Sequence, residues 1–245
     1  MKKWIIPGGV YPRLYKNILA QSHIIIAGAT GSGKSVIING LIYTALYNSP
    51  GQVQLILIDP KKVELADYKR LPHCTRYADT PRGILEALQA AEKEMDSRFS
   101  AMQRCGEKLF SGGDLYIVID EFADLMTTQR RETLPILCRL AQLGRAARVH
   151  LILATQRPTR DIINGQIQVN IAARLALRCP SKQDSRNIIG TTGAELLPRY
   201  GRGLYLTPEY FPPVPVDIPM IPQADIQRII AHWEKQKPRL FPFFK

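Results

Sequence analysis

Residues 28–35 read GATGSGKS and follow directly on an apolar run, HIIIAG, at 23–28. The octet fits G-x-x-x-x-G-K-[ST], the pattern of a phosphate-cradling loop. Its glycines let the backbone curl until successive N–H groups point inward at phosphate oxygens, and the helix that follows adds its positive end. Thr30, Gly31, Ser32, Gly33, Lys34, Ser35 and Val36 are therefore the expected nucleotide-binding residues. Lys34 is expected to reach the β- and γ-phosphates of ATP, and the Ser35 hydroxyl to bind Mg²⁺. A second apolar run, LYIVID, ends in Asp120 and is followed by Glu121. Two carboxylates at the carboxyl end of a buried strand lie where α/β sheets hold their ligands. Asp120 is expected to hold the metal shell through water, and Glu121 to polarise an attacking water as general base. The adjacent glutamate separates this pattern from that of a small GTPase and points to ATP hydrolysis. Asp59, which ends a third run, VQLILID, reads as structural.

Three further apolar runs are VHLILAT (149–155), RLALRC (174–179) and GLYLT (203–207). Most of the runs are continuous rather than alternating, as strands covered on both faces must be. Helix-like stretches lie between them: VIINGLIYTALY, then a long one from Thr80 as N-cap and Pro81 at its first position, then LPILCRLAQLGRAAR. The alternation predicts an α/β fold: a mostly parallel, twisted, doubly wound sheet with helices on both faces. Residues 1–20 read as an N-terminal arm, 21–207 as the ATPase core, and 208–245 as a Pro-rich segment with a short helix, ADIQRIIAHWEK. Prolines at 208–222 exclude a central strand there.

The chain carries 33 Lys and Arg against 21 Asp and Glu, a net charge of +12. Between Arg139 and Arg202 there are eleven Lys and Arg and only three Asp and Glu, so much of the excess forms one patch. A polyanion such as nucleic acid, or an anionic membrane surface, is the partner such a patch suits. The four cysteines are scattered, with no CxxC pair, which speaks against a zinc site or a disulfide framework and for a cytoplasmic protein. The first residues, MKKWIIPGGVYP, hold too few apolar positions for a secretory signal, and no run approaches a membrane span.

With these motifs in order, the sequence resembles the motor domain of the FtsK/SpoIIIE family of DNA translocases. GATGSGKS, IDPKKVEL, DEFADLM, RLAQLGRAA, HLILATQRP and SKQDSRNIIG carry the resemblance over roughly residues 21–207. It implies a RecA-like P-loop NTPase assembled as a homohexamer around double-stranded DNA. By the same resemblance Gln156 is the γ-phosphate sensor and Arg145 an arginine finger reaching a neighbour's ATP. Arg157, Lys182 and Arg186 become DNA-phosphate contacts on two pore loops, while Gln168 stands where a basic residue is expected. Arg139, Arg148 and Arg160 are left as solvated or interface charges.

Membrane-spanning segments, an N-terminal motor subdomain and a winged-helix module, parts of the family's larger members, find no counterpart in the sequence. The resulting expectation is a stand-alone motor of a phage, plasmid or other mobile element, serving DNA transfer, packaging or partition. Two other readings stay open: an ATPase of a protein-secretion system, and an ATP-dependent DNA clamp with slow turnover.

Overall fold

The computed structural model describes residues 13–163 and 165–236. Eight strands form one sheet: β1 (His23–Ala27), β2 (Val53–Ile58), β3 (Cys74–Ala78), β4 (Asp114–Ile119), β5 (Val149–Thr155), β6 (Ala173–Ala176), β7 (Arg202–Thr207) and β8 (Tyr210–Asp217). Their order across the sheet is β3-β2-β4-β5-β1-β6-β7-β8. The first six are parallel, while β7 and β8 close the sheet as an antiparallel pair. The sheet is thus mostly parallel, as the continuous apolar runs require.

Successive side chains of a strand face opposite ways, and both faces are covered. Ile25, Ile56, Ile58, Ile117, Ile119, Leu151 and Leu153 pack under α3 (Pro81–Cys105), α4 (Phe122–Thr128) and α5 (Arg130–Leu143). Ile24, Ile26, Leu55, Leu57, Val118 and Ile152 pack under α1 (Arg13–Leu19), α2 (Lys34–Ala45) and α8 (Gln223–Glu234). Two short helices, α6 (Gly165–Asn170) and α7 (Lys182–Ile189), flank β6. Thr80 caps α3 by accepting from the Gly83 N–H, with Pro81 opening the helix.

Three elements depart from the sequence reading. β3, CTRYA, lies at one edge of the sheet, half exposed, and so carries no apolar run. β8 runs through Pro212, Pro213 and Pro215 at the other edge, where only one side of the strand has a ladder to keep. β6 ends at Ala176, three residues before the apolar run does. Leu177 still donates to the Ala27 carbonyl of β1 at 2.8 Å, and the chain then turns over the start of the phosphate loop, with the Arg178 carbonyl accepting from the Ala29 N–H at 2.8 Å.

Two histidines are buried in neutral form. His23 Nδ1 accepts from the Leu151 N–H at 3.1 Å, and burial, with His150 and Arg145 nearby, lowers its pKa to about 3. His73 meets the Asn48 carbonyl through Nε2 at 2.8 Å and packs edge-on against Trp233, which fastens α8; burial lowers its pKa to about 4. Well above pH 6.5 neither group binds a proton in either state. As the pH falls further, the unfolded chain takes up protons that the folded chain refuses, so stability is lost. By pH 4 each histidine should subtract on the order of 3 kcal/mol. Urea titrations from pH 7.5 to 4 are expected to show this decline, with a shallower slope in His73→Gln. Coincident profiles would exclude His73 as its source.

Candidate active site

The phosphate loop runs from the carboxyl tip of β1 into α2. Gly31 and Gly33 sit at φ 72° and 101°, left-handed values that side-chain-bearing residues resist. At the strand–loop junction a Cβ on Gly28 would stand 2.6 Å from both Leu177 Cβ and Ser32 Oγ. The loop is built tightly around bare backbone. Ser32 Oγ is buried inside it with no hydrogen-bond partner among the described residues. An orphaned hydroxyl inside a glycine cradle is a donor suited to phosphate oxygens.

Beside β1, with β5 between them, β4 delivers Asp120 and Glu121, both buried. Lys34 Nζ reaches across to both, donating to the Asp120 carbonyl at 2.6 Å and to Asp120 Oδ1 at 3.0 Å, with Glu121 Oε2 at 3.8 Å. Burial raises the Asp120 pKa against the opposing pull of Lys34, and the nearby Glu64 and Asp59 add to the rise. Burial alone would raise Glu121 too. It is outweighed by the Thr155 hydroxyl at 2.7 Å, Lys34, the Gln156 N–H at 3.1 Å and Lys61 Nζ at 3.2 Å, which together hold this carboxylate below its usual range. Two adjacent carboxylates with opposite shifts suit different tasks. The Asp120 oxygens and the half-buried Ser35 hydroxyl are hard donors of the kind Mg²⁺ accepts alongside phosphate oxygens.

Gln156 stands at the tip of β5, between β4 and β1. Its Oε1 accepts from the Thr30 hydroxyl at 2.7 Å, so it already touches the loop it is expected to sense. Asp59 ends β2, fully buried, and accepts from the Leu65 N–H at 3.0 Å, a structural bond across the turn that carries Lys61. Lys61 and Thr155 are the contributors that motif reading missed. Only the adjacency of β2, β4 and β5 brings them to Glu121, and no pattern spacing encodes that.

Arg145 lies at the other end of the sheet. It follows α5 and precedes β5, lining a cleft with Gln21, His23, Asn170 and Glu209. Its turn is held from beneath by Arg98, a buried side chain of α3 that donates to the carbonyls of Gly113, Ala147 and Arg148 at 2.9, 3.0 and 3.1 Å. From Val149 to Thr155 the strand rises roughly 20 Å, so Arg145 cannot reach the phosphate loop of its own chain.

Arg157, Lys182 and Arg186 are exposed. Arg157 follows the tip of β5 and Lys182 opens α7 beyond the tip of β6, so the two flank the nucleotide strand at the carboxyl end; Arg186 lies one turn along α7. Gln168 is not turned outward as a pore residue. Its side chain donates to the carbonyls of Ile163 and Asn187 at 2.9 and 3.2 Å, stitching α6 to α7. Nor are all the remaining arginines free charges. Arg139 pairs with Asp96 and Glu92 at 2.7 and 3.1 Å. Arg148 pairs with Asp114, whose pKa falls to about 2: burial pushes it up, but His150 and Arg148 bond it more strongly.

A glycine cradle closed by a lysine, with an aspartate–glutamate pair on the neighbouring strand but one and a glutamine at the tip of the strand between, defines a P-loop ATPase. Within that class the chain belongs to the FtsK/SpoIIIE family, whose profile matches residues 10–116 and 112–160. A relative named DNA translocase FtsK from Treponema pallidum is 40% identical over 232 residues, covering 87% of this chain and 29% of its own length. The chain thus spans about three tenths of the curated relatives it matches. Among solved structures, the pCW3 conjugation coupling protein TcpA, in monomer form with ATPγS, superposes with a TM-score of 0.76 at 24% identity, over 87% of this chain and 66% of that one. The cytoplasmic domain of the type VII secretion ATPase EccC from Thermomonospora curvata gives 0.74 at 22% identity, over 91% and 29%. These two likenesses speak for the fold. Among the described residues no helix is long and apolar enough to cross a membrane.

Proposed function

We propose that the chain is the motor unit of an ATP-driven translocase of double-stranded DNA, working as a homohexameric ring in the cytoplasm. The observation that carries the ring is the position of Arg145: it stands at the end of the sheet opposite its own nucleotide, held on a rigid turn, with a neighbouring protomer's site as its only use in phosphate chemistry. The basic residues at the carboxyl end, and family membership, support DNA as the polymer.

In this reading ATP lies in the cradle of Thr30 to Val36. Lys34 exchanges its bonds with Asp120 for the β- and γ-phosphates, and Mg²⁺, held by Ser35 and Asp120, would neutralise phosphate charge. Glu121, kept ionised by its four partners, orients a water and takes its proton as oxygen attacks phosphorus and the bond to ADP breaks. Gln156 exchanges its Thr30 partner for the γ-phosphate. Arg157 is the next residue, so phosphate occupancy is transmitted directly to a DNA contact. Phosphate contacts of this kind grip the duplex without reading its bases.

Duplex DNA is expected to stimulate ATP hydrolysis, and binding to weaken steeply with salt. Replacing Arg157, Lys182 and Arg186 together by Ala should lower the log–log salt slope by about three for each engaged protomer. Fluorescence anisotropy on a labelled duplex measures this. A duplex that neither binds nor stimulates at low salt would end the translocase reading.

A further inference from the structure

The connection from α7 to β7, residues 190–201, contains Arg199, a cation that none of the family motifs includes. Its guanidinium Nη2 stands 3.5 Å from the point where a Cβ on Gly31 would lie. Gly31 is inside the phosphate loop, next to Thr30 and to the orphaned hydroxyl of Ser32. Among the described residues Arg199 forms no ion pair. Its recorded contact is with the ring of Tyr200, with the guanidinium carbon 5.2 Å from the centroid. A guanidinium with no acidic partner, poised against a loop whose N–H groups gather phosphate, carries charge that an anion would complete.

The placement is built into the fold. The connection is tied to α7 at its start, where the Ser185 hydroxyl donates to the Thr191 carbonyl at 2.7 Å and accepts from the Ala194 N–H at 3.1 Å. Its middle is tied to the segment after β6, where the Cys179 N–H donates to the Ala194 carbonyl at 3.3 Å. Leu177 and Arg178, which press on Gly28 and Ala29, belong to the same edge of the site. Gly201, at φ 79°, then turns the chain into β7. Arg199 is thus presented from a segment bonded both to the wall of the cradle and to the helix that bears Lys182 and Arg186.

Resting on the assignment of residues 28–35 as the nucleotide cradle, we propose that Arg199 is a second cationic ligand of the nucleotide phosphates, supplied by the same chain and approaching the loop at Gly31. Backbone at this part of the loop holds the α- and β-phosphates, so Arg199 serves ADP as well as ATP. It is a binding contact, distinct from Arg145, which acts in hydrolysis.

The test is calorimetric titration of ADP and of a non-hydrolysable ATP analogue into wild type and Arg199→Gln, without DNA and at a concentration where the protein is monomeric. Affinity for both nucleotides is expected to fall about 10- to 100-fold, the weight of a charge-assisted bond. The thermal midpoint of the nucleotide-free protein should not move, since the side chain is exposed. Dissociation constants within twofold of wild type would overturn the proposal while leaving the cradle intact. So would a loss of kcat with unchanged affinity. A wild-type protein that binds neither nucleotide would overturn the cradle itself.

Discussion

Glu121→Gln is expected to lower kcat for ATP by about 10² to 10⁴, the usual contribution of a positioned general base, while ATP affinity stays near wild type. The amide keeps one oxygen for the Thr155 hydroxyl and the Gln156 N–H, which Glu121 Oε1 now serves at 2.7 and 3.1 Å. What changes is Oε2, which faces Lys61 and Lys34 at 3.2 and 3.8 Å. An amide nitrogen there loses an ion pair, but the Lys61 side chain is 44% exposed and can turn to water. The fold and the cradle should therefore survive while the proton acceptor is gone. The same contacts set the acid limit of the wild-type reaction. Because Glu121 is held below its ordinary range, it stays ionised down through the usual carboxylate titration, and turnover should not fall with its protonation until the pH lies beneath that range. Steady-state hydrolysis and nucleotide titration on the same preparation read both quantities. If the variant keeps more than a tenth of the wild-type kcat, Glu121 is not the base.

The parts of this site that were legible in the sequence are those where function needs adjacent residues. GATGSGKS must be contiguous because one loop wraps one phosphate chain, and Asp120 and Glu121 must be neighbours because one strand end delivers both. Gln156 came from the resemblance, which places it just beyond the apolar run 149–155; the structure sets its Oε1 against the Thr30 hydroxyl. Lys61, Thr155 and Arg199 could not be read this way. Each enters the site from a different element, and only strand order and one returning connection bring them in. The same distinction holds for the sheet. Strands buried on both faces announce themselves as unbroken apolar runs, as β1, β2, β4 and β5 do. β3 and β8, lying at the edges, bury too little to leave that signature, and β8 tolerates prolines for the same reason. The arginines were the hardest to sort. Arg98, Arg139, Arg145, Arg148 and Arg174 look alike in sequence. Arg98 and Arg174 are inward struts bonded to carbonyls, and Arg139 and Arg148 pair with acids through the fold. Arg145 alone of these is left facing a cleft at the far end of the sheet.

That position makes Arg145→Ala the second large effect, with kcat expected to fall about 10³- to 10⁵-fold. The mechanism predicts where the missing charge acts. The turn bearing Arg145 is fixed by Arg98, which donates to the Ala147 and Arg148 carbonyls, and by the bidentate Arg148–Asp114 pair, so it cannot swing round to the cradle of its own chain. In the proposed ring its partner is the phosphate site of a second protomer, and that dependence has a signature no local role can mimic. Arg145→Ala and Glu121→Gln proteins should each be inactive alone, yet active when mixed. In a mixed ring, some interfaces join an intact Glu121 on the first variant to an intact Arg145 on the second, roughly a quarter of them if subunits assort at random around a closed ring. Activity should rise from near zero to a fraction bounded by that share, and should vanish on dilution below the assembly concentration. If the Arg145→Ala protein is inactive and mixing restores nothing while mixed rings demonstrably form, the arginine acts within its own chain and the shared-cleft mechanism fails. If Arg145→Ala turns over normally, the residue has no part in hydrolysis, and its charge serves the cleft it shares with Glu209.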